Sequence, residues 1–102
     1  MARLLVLYKK PADAAAFDAH YSATHIPLAK KVPGLRRYEV SRGPVLTPNG
    51  ESGYHLVATL HFDSVDAIQS GLRSPEGAAA AGDLANFAQA GVELLVFDTK
   101  DV

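Results

Sequence analysis

Cysteine is absent from this sequence of 102 residues, which removes disulfides, thiol nucleophiles and thiolate metal sites together and leaves the redox compartment open. An excess of either charge is missing too. Ten Lys and Arg stand against eleven Asp and Glu, a formal net charge of −1, so no summed positive field exists to hold phosphate backbones or an anionic membrane. No nucleic-acid or membrane partner is expected. The apolar run at residues 4–8 is too short for the apolar segment of a signal peptide and far too short to span a bilayer. A cytoplasmic location is the expectation. There is no glycine-rich phosphate loop, since Gly77 to Gly82 encloses only alanines, and no G-x-S-x-G elbow. No cofactor is expected.

What is present suits one folded unit. Hydrophobic residues make up 48% and charged residues 21%, inside the globular range, and the length leaves room for a single domain over residues 1–102. Residues 4–8 form a continuous apolar run ending at Lys9-Lys10-Pro11, the pattern of a strand covered on both faces. A first helix is expected to begin near Pro11, with Phe17, Tyr21 and Leu28 on its apolar side and a kink or restart before Pro27. Pro33-Gly34 ends it. Residues 35–45 read as a half-exposed strand, Thr47-Pro48-Asn49-Gly50 as a turn within a mobile loop, and residues 54–62 as a strand. On that last strand His55, Val57, Thr59 and His61 share one face. Ser64 and Ser74 can each cap a helix, the second with Pro75 at its first position, and residues 92–97 close the pattern with another strand apolar on both alternations.

The order β-α-β-β-α-β is that of a ferredoxin-like α+β domain with an antiparallel sheet. Its helices cover one sheet face. Nothing in the chain remains to cover the other, so a second identical chain is expected there, as a homodimer.

Candidate chemistry concentrates in residues 17–28. Tyr21 and His25 lie one helical turn apart and point the same way, so His25 can move a proton near neutral pH while the Tyr21 hydroxyl orients a substrate oxygen. His20 falls on the opposite side of the Phe17–Leu28 stripe and reads as a solvated helix residue. No metal site is expected: His20 and His25 are five apart, and His55 and His61, six apart, stand roughly 20 Å from each other in extended chain.

The ordered combination of Tyr8-Lys9-Lys10-Pro11, Phe17-x-x-His20-Tyr21-x-x-x-His25-x-Pro27-Leu28, Pro33-Gly34-Leu35-x-x-Tyr38 and Ser74-Pro75-Glu76-Gly77 resembles the EthD family of the dimeric α+β barrel superfamily. The resemblance implies a ferredoxin-like fold in which two chains form the barrel. Relatives include a protein associated with ethyl tert-butyl ether degradation and fungal proteins of polyketide aromatisation, decarboxylation or dehydration, and the wider superfamily contains cofactor-free monooxygenases, isomerases, haem-degrading enzymes and plant polyketide cyclases, so the resemblance implies a cofactor-independent lyase, isomerase or monooxygenase-like activity. It also implies a helix–sheet cavity in which Tyr21 and His25 are catalytic, Phe17, Leu28, Tyr38 and His55 contact a small apolar or aromatic oxygenated molecule, and no cofactor takes part. The alternative is a non-catalytic small-molecule-binding accessory protein of a catabolic pathway. One departure stands out. The plant cyclases carry a histidine in the second helical region, where this chain has Gly77.

Overall fold

The computed structural model describes residues 1–102. Its main sheet holds β1 (Ala2–Lys9), β2 (Arg37–Val40), β5 (Tyr54–Phe62) and β6 (Val92–Asp98) in the order β2-β5-β1-β6, with every pairing antiparallel. The short strands β3 (Leu46–Thr47) and β4 (Gly50–Glu51) form a separate hairpin. The helices are α1 (Ala14–His20), continued by a π turn (Tyr21–His25) into α2 (Ile26–Lys30), then α3 (Val65–Arg73) and α4 (Pro75–Phe87). This is the expected ferredoxin-like α+β architecture. The strand expected over residues 35–45 is shorter: its bonding to β5 ends with Ser41 on Val57, ahead of Gly43 at φ +78°, and the expected mobile loop is a hydrogen-bonded hairpin around Pro48-Asn49.

The side of the sheet facing the helices is apolar by simple alternation. Ala2, Leu4, Val6 and Tyr8 of β1 are buried and lie opposite Phe62, Leu60, Ala58 and Leu56 of β5, each alternate residue meeting the same side of the pleat. Phe17, Tyr21, Val32, Ile68, Ala80 and Phe87 close the core from above. On the opposite sheet face, Leu5, Leu7 and Val57 are only half buried, and Leu95 and Phe97 are exposed. Within one chain, therefore, neither β1 nor β6 is covered on both sides.

Three local features position the candidate site. Pro27 does not break the first helix. Its ring removes a donor and crowds the carbonyl four residues back, and the π turn opens the backbone there, with the Ile26 N–H bonding the Tyr21 carbonyl. The second feature is a bulge in β5: Tyr8 pairs with Leu56 and Lys9 with Tyr54, leaving His55 as the extra residue. A bulge re-aims its side chain. The third is Gly77, where a Cβ would stand 2.1 Å from the Gly71 carbonyl oxygen and 2.7 Å from Leu72 Cα. Only glycine lets α4 cross the end of α3 this closely. This gives the Gly77 departure a physical reason, since a histidine at this position collides with backbone.

Candidate functional site

The π turn brings the Tyr21 and His25 rings into a stack with centroids 5.4 Å apart. Both residues are buried. Above them α4 carries the stripe Gly77, Ala80, Asp83 and Phe87 into the core, and Asp83 meets the histidine, with Oδ2 3.0 Å from His25 Nδ1. On the other side of the ring, the Tyr8 hydroxyl lies 3.4 Å from His25 Nε2. An ionised carboxylate only accepts, so His25 Nδ1–H donates to Asp83 and the Nε2 lone pair is left to accept from Tyr8 O–H.

Electrostatics agree with that assignment. Burial pulls His25 below its ordinary value, and the hydrogen bond and charge of Asp83 offset this only in part. Burial alone pushes the Asp83 carboxyl up, yet hydrogen bonds from Asn86, His20 and His25 outweigh it and hold the group below the usual carboxylate value. The pair is thus a neutral imidazole donating to an anion. Burial also pushes the Tyr8, Tyr21 and Tyr38 hydroxyls upward, so all three remain protonated donors near neutral pH.

His25 and Tyr8 open onto a cavity of 50 Å³ beneath α4, walled chiefly by Leu4, Val6, Ala58, Leu60, Tyr38 and Leu94. Leu94 is 43% exposed, which places the cavity's mouth between α4 and β6. Such a space holds a few atoms, well below the roughly 300–1,000 Å³ of a pocket for a drug-sized ligand. A larger cleft of 740 Å³ lies outside, bordered by Lys10, Asp18, Tyr21, Arg42, Tyr54 and His55. The Tyr21 hydroxyl bonds that of Tyr38, so this tyrosine pair stands between the inner cavity and the outer cleft.

Of the residues singled out from sequence, His25 and Tyr38 line the inner cavity. Tyr21 backs it and faces the outer cleft. Three expected wall residues do not belong to the cavity. Phe17 is core, stacked on Tyr21 and edge-on to Tyr8, and Leu28 packs against that core from outside. His55 is turned by the bulge onto Phe17 and Asp18, its Nε2 2.7 Å from Asp18 Oδ1. His20 also departs from expectation. Although its side chain is still 29% exposed, its Nε2 lies 2.9 Å and 3.1 Å from the two oxygens of Asp83 on α4. Asp83 and Tyr8 were not among the sequence candidates. Their signal was a carboxylate in the apolar stripe of an alanine-rich helix and a tyrosine among the inward aliphatics of β1. No group of three or more possible ligands converges on a metal position.

The family profile of the EthD domain matches residues 9–91. The chain belongs to the EthD family. It is 42% identical over 102 residues, covering 100% of this chain and 98% of the other, to an uncharacterized 11.0 kDa protein of the thcB–thcC intergenic region of Rhodococcus erythropolis. A crystal structure of an EthD family protein from Bacillus halodurans superposes with a TM-score of 0.89 at 37% identity, covering 98% of this chain and 99% of that one. A dimeric ferredoxin-like protein of unknown function from Thermobifida fusca shares the fold, with a TM-score of 0.70 at 16% identity over 96% of this chain and 90% of that one.

Proposed function

We propose that this EthD protein binds the oxygenated end of a small apolar molecule in the cavity under α4, and that His25 acts on it as a general base without a cofactor. The observation that carries this reading is the line Asp83–His25–Tyr8, which ends at an apolar cavity. Asp83 fixes the tautomer, so Nε2 faces the ligand unprotonated. The 3.4 Å contact to Tyr8 is long for a hydrogen bond. An acidic proton of the ligand can replace it at Nε2, leaving Tyr8 O–H to donate to the ligand oxygen. Tyr38, held by Tyr21, supplies a second hydroxyl at the cavity wall.

The size of the cavity sharpens the substrate class. The cavity is small and almost wholly apolar, so the reacting end is compact, and any bulkier remainder lies toward the mouth beside Leu94. The uncovered sheet face is the surface for a second copy of the chain, which would bury Leu5, Leu7, Val57, Leu95 and Phe97 against their equivalents.

The test uses a panel of small alcohols, aldehydes and ketones, with binding followed by histidine-selective NMR and turnover by product analysis. His25→Ala is expected to fold and to lose turnover of any converted compound by about 10²–10⁴-fold, the usual contribution of a general base. Full turnover in that variant overturns the assignment. Binding without conversion in the parent protein would instead support the accessory-protein reading, which the small cavity and the occupied Nε2 also suit.

A further inference from the structure

Asp83 is shared. Its Oδ2 accepts from His25 Nδ1 at 3.0 Å, and both its oxygens lie within 2.9–3.1 Å of His20 Nε2, while Asn86 Nδ2 donates to Oδ1 at 3.0 Å. One negative charge therefore faces two imidazoles. We propose that His20 is a positioning residue for His25: it holds Asp83 from the solvent side and shares its single negative charge, so the buried imidazole stays neutral. The proposal deepens the reading of His25 as a base and rests on it for its purpose, though not for its test.

The asymmetry comes from surroundings. The side chain of His20 is 29% exposed and that of His25 8%. His20 borders a surface groove of 610 Å³ with Asp13, Asn86 and Gln89, where water can solvate an imidazolium. His25 opens only onto the apolar cavity beneath α4. Its neighbours are the Tyr8 hydroxyl from β1, the Tyr21 ring from its own turn, the Phe87 ring and Asp83 from α4. The only carboxylate facing it is the one His20 shares. A cation on His20 uses up that charge and repels a second cation on His25, in the same direction as the depression of His25 noted above. Stacking of the His20 ring on Phe87, with centroids 5.1 Å apart, fixes its approach to Asp83.

The experiment is a pH titration of the intact protein with ¹⁵N-labelled histidine, following the ring nitrogens of His20 and His25 separately. In the parent protein the His25 ring is expected to take up its proton only below the ordinary histidine value of 6.5. In His20→Gln, whose amide can still donate to Asp83 but carries no charge, the His25 midpoint should rise by about one pH unit, a tenfold gain in proton affinity. His20→Asn provides a second uncharged variant, and amide spectra report its fold. A His25 midpoint unmoved in both variants overturns the proposal, as does a parent protein in which His25 takes its proton at or above the ordinary 6.5. No substrate enters these titrations. They therefore stand or fall separately from the turnover lost in His25→Ala.

Discussion

At the scale of single residues, Asp83 is a buried carboxylate that accepts from three side chains, His20, His25 and Asn86. Hydrogen bonds to a charged group are each worth about 1.5–3 kcal/mol net, so Asp83→Asn, which keeps the shape but loses acceptor capacity, should lower stability by about 2 kcal/mol in urea unfolding. An unchanged midpoint would mean the carboxylate is not the hub described. His25 gives stability a pH dependence of definite sign. Its native form resists protonation below the ordinary 6.5, while the unfolded chain takes up that proton, so its contribution is present above about pH 6.5 and lost as pH falls. Urea midpoints at pH 7.5 and 5.0 should therefore diverge more in the parent protein than in His25→Gln. Equal divergence would contradict a neutral buried His25. His25 was legible from its place one turn after Tyr21, but its carboxylate was not, since 58 positions separate the partners and only tertiary packing joins them.

Among elements, the caps at Ser64 and Ser74 and all four strands of the main sheet followed from local pattern. Two irregularities did not. The spacing of Tyr21 and His25 suggested a shared face, but uniform α-helix geometry put His20 on the wrong side. The π turn and the crossing of α4 decide that placement, and neither leaves a periodic trace. The β5 bulge likewise moved His55 out of a strict alternation. The α3–α4 crossing carries its own prediction. Gly77→Ala forces a methyl group into backbone atoms and should cost about 1–3 kcal/mol, the usual range for overpacking, or roughly 4–8 °C in melting temperature per kcal/mol for a chain of this size. A melting temperature equal to that of the parent would show that the helices can separate without cost. Because α4 also carries Asp83, the same variant should disturb the histidine resonances.

For the whole molecule, the open sheet face is the unfinished part of the single chain. Its centre is apolar, with Leu5, Leu7, Val57, Leu95 and Phe97, while Glu39, paired with His61 at 2.7 Å and Arg37 at 3.3 Å, borders it on the β2 side. Sedimentation should show a dimer that Leu95→Lys shifts toward monomer, whereas a monomeric parent protein would remove the proposed pairing. The expectation of a dimer came from sequence because strands apolar on both alternations demand cover twice, and the single chain leaves Leu95 and Phe97 exposed. A neutral His25, held by Asp83, is proposed to present its unprotonated Nε2 to a small oxygenated ligand that displaces the Tyr8 hydroxyl. Histidine-selective ¹⁵N NMR of the intact protein at pH 7, with and without acetone as the probe, tests it most directly. An Nδ1-protonated, uncharged ring is expected, with an Nε2 resonance that moves on adding the ketone; a cationic or Nε2-protonated ring, or a resonance the ketone leaves in place, would contradict the proposed role of His25.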